Sequence, residues 1–206
     1  TKIIQPSLRE TPLVLLNRDE EALESLLLRN MNKYNHITLA SERLARGKLK
    51  GITPEFVIKL AALNRITCII VEADGSSRKS LKAPNSTEPV IPLNTSLVIP
   101  IGGVVAVGLL LTEENIFRSE IASSLLGLPL GTVLTAEAIA QLLTCSHGVI
   151  KGSPPHARII PFINKVDLAG GRPKARDLAR KILARMHPQI EQIVLGQARL
   201  PNPVIE

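Results

Sequence analysis

Residues 158–167 read Arg-Ile-Ile-Pro-Phe-Ile-Asn-Lys-Val-Asp, an apolar run that ends in a polar cluster. A second apolar run, Ile-Thr-Cys-Ile-Ile-Val at 66–71, ends similarly in Glu-Ala-Asp-Gly at 72–75. Continuous apolar strands that alternate with helices are typical of a parallel sheet covered by helices on both faces. The sequence therefore predicts an α/β fold, in which ligands bind at the carboxyl ends of the strands.

Local signals complete this α/β pattern. Thr53 and Pro54 form a helix start, because Thr is a good N-cap and Pro suits the first helical position. Pro161 weakens a central placement for the strand at 158–163, because proline cannot donate to a sheet. No repeat or linker interrupts the chain, so we predict one domain over 1–206. Further strands are predicted at 13–16, 36–40, 96–101 and 193–195, and helices at 19–30, 53–64, 118–126, 135–144 and 172–186.

Composition excludes several classes of protein. The chain has 206 residues, of which 45% are hydrophobic, as in ordinary globular proteins. Its two cysteines are too few for a disulfide scaffold or a metal cage, and Cys68 is expected to be buried in its apolar run. The apolar stretch 97–111 is shorter than the roughly 20 residues of a membrane span. With no signal-peptide pattern, we expect a cytoplasmic protein that does not enter a membrane.

The net charge of +7 is concentrated in one segment. Residues 172–185 contain six Lys or Arg and one Asp, and supply most of the surplus. We interpret this segment first as a solvated basic helix face and second as a surface for an anionic ligand or partner. Nucleic acid ranks last, because single-strand binders stack bases on aromatic side chains and only 2% of this chain is aromatic.

Acidic residues follow the apolar run at 66–71. Glu72 and Asp74 are oxygen ligands of the kind that Mg²⁺ prefers, since this ion usually binds one or two carboxylates and several waters. A magnesium site beside a phosphate and a polar turn that closes the strand are equally compatible with this segment.

The polar cluster after the run at 158–163 resembles the NKxD base-recognition motif of GTP-binding proteins. The Asp167 carboxylate can accept hydrogen bonds from N1–H and the exocyclic amine of guanine, and the Asn164 amide can meet acceptors on the other edge. The Lys165 stem can lie along the face of the ring. We favour purine binding, and a plain strand-to-helix turn is the alternative.

The loop at 81–92 lies between these two clusters and contains three prolines, which stiffen it. It carries Lys82 and Glu88, so it either binds substrate or serves as a structural connection. Arg78, Lys79 and Arg118 are candidate phosphate partners, because Arg and Lys suit oxyanions. Exposed surface charge is the alternative for these three.

Four segments together resemble one family, at 47–55, at 71–76, at 81–84 with 88–92, and at 164–167. The chain is similar to the selenium-dependent hydroxylase accessory proteins, the YqeC-type family, from Thr1 to about Asp167. The resemblance implies a P-loop NTPase-like fold of the class that includes dethiobiotin synthetase, with a mostly parallel sheet. It also implies a role in the maturation of molybdenum hydroxylases, with Mg²⁺ and GTP or ATP as cofactors.

The resemblance also implies roles for particular residues. Glu72 is expected to contact Mg²⁺ with Asp74 as a second acid, and the base-recognition motif carries over to the residues at 164–167. Lys82, Glu88 and Arg118 are the candidate catalytic residues, on the side of the phosphoryl acceptor. Family members tend to have His immediately before the Arg118 position, where this chain has Phe.

One departure concerns the phosphate loop. No segment reads G-x-x-x-x-G-K-[ST], since Gly47-Lys48 is followed by Leu49 and lacks the upstream glycine. We therefore expect a strand–loop–helix unit of about thirty residues or more to be missing upstream, and the chain without it to be inactive. Two functions remain: a nucleotide-dependent enzyme or switch that hydrolyses the nucleotide or transfers a phosphoryl group, and a non-catalytic module that docks on a hydroxylase or its cofactor-insertion machinery.

Overall fold

The computed structural model describes residues 2–206 and has a mixed α/β architecture. Its contacts divide the chain into two compact units. The first comprises the chain up to 75 together with 90–94, and the second comprises 76–89 together with 95–206. The single domain predicted over 1–206 stays a prediction.

The first unit contains two small sheets and two helices. Its strands are β1 (Lys2–Ile4), β2 (Leu13–Leu16), β3 (Ile37–Ala40), β4 (Glu42–Leu44) and β5 (Lys48–Lys50), and its helices are α1 (Glu20–Asn30) and α2 (Pro54–Ala61). β2 and β3 pair in parallel, with α1 between them in the chain. β5 pairs antiparallel with both β1 and β4, which the sequence did not predict.

Helix capping in this unit follows local chemistry. The Thr53 hydroxyl accepts the N–H of Phe56 at 3.1 Å, as the Thr-Pro signal predicted. The Asp19 carboxylate accepts the N–H of Glu21 at 2.9 Å at the start of α1. These helices bury an apolar face against β2, and the core is formed by Leu15, Leu23, Leu27, Phe56 and Leu60.

The predicted buried strand at 66–71 is wrong. Within residues 2–206 this segment belongs to no strand, and Ile70 is 91% exposed. Cys68, expected to be buried, is exposed as well. Ile66 and Ile69 do pack against the core of the first unit, so only part of this apolar segment is in contact with the core. An apolar run becomes a strand only where a neighbouring strand offers hydrogen bonds.

The second unit contains short parallel strands and three helices. Its strands are β6 (Leu81–Lys82), β7 (Leu97–Val98), β8 (Ile101–Gly103), β9 (Ile116–Phe117), β10 (Arg158–Ile159), β11 (Phe162–Asn164) and β12 (Val194–Leu195), and its helices are α3 (Ser119–Leu126), α4 (Ala136–Thr144) and α5 (Gly171–Ala184). The pairs β6–β9, β7–β10, β8–β11 and β11–β12 are all parallel. They form small separate sheets instead of one continuous sheet.

Pro161 lies between β10 and β11, where the strand predicted at 158–163 is interrupted. The proline does not place β11 at the edge of its sheet. β11 is central, with β8 on one side and β12 on the other. The Pro161 carbonyl accepts the N–H of Val194 at 2.9 Å, so the residue still contributes to the sheet through its oxygen. The missing N–H of proline separates β10 from β11, which divides one predicted strand into two.

The core of the second unit is aliphatic, in keeping with the 2% aromatic content of the chain. Helices α4 and α5 supply many of its fully buried side chains, including Ile139, Leu142, Leu143, Leu178 and Ile182. In the described part of the chain, no helix is both long enough and apolar enough to cross a lipid bilayer.

Candidate functional site

The first candidate site lies at the carboxyl end of β11. Asn164 is the last residue of that strand, and its side-chain oxygen accepts the N–H of Lys165 at 2.8 Å and of Ala198 at 3.0 Å. The carboxyl ends of β8, β11 and β12 meet at one edge, because the three strands are parallel. Asn164 therefore ties the turn after β11 to the loop after β12.

Lys165 connects this turn to the start of β6. Its backbone has a φ of +66°, and its ammonium group donates to the Ser80 hydroxyl at 2.7 Å. The carbonyl of Ser80 accepts the N–H of Gly103 at 2.7 Å, at the end of β8. A Cβ on Gly103 would lie 2.8 Å from the Ser80 Cβ, so only glycine allows this approach. The Lys165 head group is thus anchored next to the loop that carries Lys82.

Asp167 lies in the turn between β11 and α5, where it is exposed to solvent. It lines an open cleft of about 400 Å³ together with Gly170, Gly171 and Gln197. This volume is within the usual range for small-molecule sites, which is about 300–1,000 Å³. The cleft joins the turn after β11 to the loop after β12, the same two segments that Asn164 links.

A second cluster forms around Glu88 in the stiff loop. The Lys82 ammonium group donates to Glu88 Oε2 at 2.8 Å, and the Arg118 guanidinium donates to the same oxygen. The ring of Phe117 contacts both cations, with its centroid 5.3 Å from Lys82 Nζ and 4.7 Å from Arg118 Cζ. The structure therefore brings together the three residues that the sequence proposed as catalytic candidates.

Arg118 owes its position to Glu113, which the sequence analysis missed. Arg118 has a left-handed backbone, with a φ of 61° and a ψ of 55°, directly before α3. The Glu113 carboxylate accepts the N–H of Ser119 at 2.9 Å and of Arg118 at 3.3 Å. It also pairs with Lys79 at 3.4 Å, so this candidate phosphate partner has a carboxylate contact. Glu113 lies five and six residues before the groups it binds, outside the usual capping pattern.

We expect Glu113 to make the protein sensitive to acid. The backbone N–H of Ser119, followed by that of Arg118 and by Lys79, lowers the pKa of Glu113 below its ordinary value of 4.5. An acid with a lowered pKa stabilises the fold above its ordinary pKa, and this contribution is lost as the pH falls through the lowered value. In thermal melts between about pH 6 and pH 3, Glu113→Gln should therefore show a weaker dependence on pH than the wild type.

The matched control for this experiment is Glu114→Gln, because Glu114 is the exposed neighbour in the chain. It should keep the pH dependence of the wild type. Equal pH dependence for the wild type and Glu113→Gln would contradict the assigned role of Glu113.

The acidic pair lies in the first unit. Glu72 follows the segment 66–71, which belongs to no strand or helix, and a Cβ on Gly75 would lie 3.4 Å from Glu72 Oε1. Desolvation of the carboxyl, with a contribution from the negative charge of Asp74, raises the pKa of Glu72. Two carboxylates that disfavour each other's charge suit a hard dication, and Mg²⁺ needs only one or two of them. Among the described residues, no group of three His, Cys, Asp or Glu could hold a metal ion.

The predicted site residues thus fall into three groups. The base-recognition residues and the cluster around Glu88 lie in the second unit, whereas Glu72 and Asp74 lie in the first. Arg78 is exposed and has a left-handed backbone, with a φ of 67°.

Sequence comparison decides the family. The model of the YqeC protein family matches residues 1–120, more than half of the chain. The chain belongs to the YqeC family. A curated relative, the "Uncharacterized protein YqeC" of Escherichia coli (strain K12), is 32% identical over 120 residues, which is 58% of this chain and 47% of the relative. The match thus spans about half the length of that relative. No solved structure matches the chain significantly.

The matched region contains some of the candidate site residues and excludes others. Residues 1–120 of this YqeC-family protein include the acidic pair and the cluster around Glu88, but not the turn at 164–167. The base-recognition assignment therefore depends on the chemistry and the position of that turn at the sheet edge. The resemblance stated from the sequence is confirmed at the level of the family.

Proposed function

We propose that this YqeC-family protein is a cytoplasmic, nucleotide- and Mg²⁺-dependent accessory factor in the maturation of selenium-dependent molybdenum hydroxylases, with a P-loop NTPase-like fold. The observation that carries the proposal is the sheet edge where β11 ends. There the Asn164 and Lys165 side chains are held by backbone and hydroxyl groups, next to a cleft lined by Asp167. Parallel α/β sheets bind their ligands at this edge.

The anchored side chains suit a purine base. The Asn164 oxygen accepts two backbone N–H groups, which leaves the amide nitrogen of Asn164 to donate to an acceptor on the base. The Lys165 head group is fixed on Ser80, so its stem can pack along the ring. The exposed carboxylate of Asp167 can accept from the two donors on guanine. Adenine lacks these two donors on that edge, so this arrangement favours GTP over ATP.

The remaining site residues receive roles from their chemistry. Glu72 and Asp74 would hold Mg²⁺, an ion that neutralises the negative charge of phosphate groups. Lys82, Glu88 and Arg118 form the acceptor side, where they would orient water or a small phosphoryl acceptor. Phosphoryl transfer depends mainly on such positioning and on stabilisation of charge.

We expect Asp167→Ala to weaken GTP binding by at least tenfold, or about 1.4 kcal/mol. The reason is the loss of charged acceptors for two donors on the base. Isothermal titration of GTP into the full-length protein with Mg²⁺ present measures the effect. Asp177→Ala is the matched control, because Asp177 lies on α5 beside Arg180 and outside the cleft lining. Absence of nucleotide binding by the wild type, or equal losses in both variants, would refute the proposed function.

A second candidate function is a non-catalytic docking module, favoured by the exposed basic face of α5. Three of its cations form ion pairs: Lys181 and Arg185 with Glu137, and Arg176 with Glu206. Two further cations at the start of the helix, Arg172 and Lys174, are exposed to solvent. Such a face fits an acidic surface on a hydroxylase or on its cofactor-insertion machinery. Capture of a hydroxylase subunit that is unaffected by nucleotide and by Glu72→Ala would favour this function.

A further inference from the structure

Two cations from different elements converge on one oxygen atom in the second unit. Lys82 lies in β6 and Arg118 precedes α3, and both donate to Oε2 of Glu88. Cations that donate to a carboxylate oxygen make charge-assisted hydrogen bonds of the kind by which proteins bind phosphate and carboxylate groups. The Glu88 carboxylate therefore marks a position suited to an oxyanion.

Burial and the Phe117 ring make this position selective for charge. The Lys82 side chain is only 7% exposed and that of Arg118 is 22% exposed. The ring of Phe117 packs against both cations and so fixes their spacing. Attraction between charges is stronger in such a partly dehydrated setting than in bulk water.

Two more lysines raise the positive potential around the same loop. The Lys151 ammonium group donates to the carbonyl of Asn85 and, at 3.3 Å, to that of Ser86. The Asn85 carbonyl also accepts the N–H of Glu88 at 3.3 Å, which places Lys151 near the cluster. At the other end of the loop, Lys165 contacts the Ser80 hydroxyl. These contacts are with neutral oxygens, so they do not themselves neutralise the two charges.

We propose that Lys82 and Arg118 form a binding site for an oxyanion, a phosphate or carboxylate group on a small-molecule substrate, and that Glu88 occupies this site until the ligand displaces it. The assignment rests on the proposed function, in which the same residues form the acceptor side, and it makes the acceptor an anion. Glu88 then has two tasks, since it keeps the two cations in place and competes with weak anions.

The test is a titration of inorganic phosphate, and separately of acetate, into the purified protein at low ionic strength without nucleotide. Glu88→Gln removes the competing charge and keeps the shape, so it should bind the preferred anion about tenfold more tightly than the wild type. Lys82→Met should bind it at least tenfold more weakly. Saturable binding of phosphate alone identifies a phosphate-bearing ligand, and binding of acetate alone identifies a carboxylate.

Lys59→Met is the matched control, because Lys59 is an exposed lysine on α2, outside the basic segment 172–185, and pairs with Glu24. It should bind anions as the wild type does. If Lys82→Met fails to fold, as judged by circular dichroism, Arg118→Gln takes its place with the same expected loss. The proposal is overturned if neither anion binds the wild type or Glu88→Gln saturably, or if Lys59→Met loses as much affinity as the cluster variant.

The outcomes also separate this proposal from the proposed function. Binding of GTP without binding of either anion would overturn the oxyanion site alone. Binding of an anion without binding of GTP would overturn the proposed nucleotide site alone.

Discussion

Leu178→Ala is expected to lower the free energy of unfolding by about 3 kcal/mol, the typical cost of a large-to-small change in a core. Leu178 lies in α5, is 0% exposed and packs in the aliphatic core of the second unit. Truncation removes apolar atoms from the core and leaves a cavity, because the surrounding side chains relax only in part. Urea unfolding followed by circular dichroism measures the loss.

The matched control is Leu183→Ala on the same helix, where the side chain is 47% exposed. Its cost should stay below about 0.5 kcal/mol, because little apolar surface is lost from the core. Similar losses in the two variants would show that α5 does not bury the face assigned to it.

Gly171→Ala should have the next largest effect, at about 3 kcal/mol. An added Cβ would lie 2.5 Å from the carbonyl oxygen of Val166 and 2.9 Å from its carbonyl carbon. These are backbone atoms, which cannot rotate away as the end of a flexible side chain can. Relief requires a shift of the turn at 166–170, so the variant should also lose GTP affinity through displacement of Asp167.

Gly170→Ala provides the comparison for Gly171→Ala. A Cβ there would meet open space, but the φ of +70° is left-handed. The expected cost is about 1 kcal/mol, which is the penalty for that backbone conformation alone. Thermal melts and GTP titrations of the two variants would contradict this account if Gly170→Ala were the more damaging change.

Predictions from the sequence succeeded where the deciding contacts are local. Thr53 was assigned as an N-cap, and its hydroxyl accepts the N–H of Phe56, three positions later, at 3.1 Å. Thr135 caps α4 in the same way, since it accepts the N–H of Ala138 at 3.1 Å. Capping needs only one side chain and the first turn of the same helix. For the same reason, the helix predicted at 135–144 agrees with α4 to within one residue.

Predictions failed where a partner from elsewhere in the chain is required. The run at 66–71 has the composition of a strand, but a strand also needs an edge to pair with, and composition does not encode which edge is available. Pro161 was expected to weaken a central placement, whereas its carbonyl bonds Val194 while its missing N–H falls at a break between strands.

The candidate site shows the same division. The position of Asn164 at a strand end followed from the sequence and is confirmed. Its bond to Ala198, 34 residues later, and the anchoring of Lys165 on Ser80, 85 residues earlier, had no signal in the sequence. Such contacts depend on how the strands are ordered in the sheet.

The sequence by itself determined the mixed α/β class, the limits of most helices and the family of the chain, because these depend on periodicity, capping and residue identity. Only the tertiary structure decided which polar groups meet. These are the two cations on Glu88, the carboxylate of Glu113 at the start of α3, and the backbone N–H groups that Asn164 accepts. Parallel pairing brings distant segments to one edge of a sheet. The resulting hydrogen bonds join residues that are far apart in the chain, at separations that no local sequence pattern indicates.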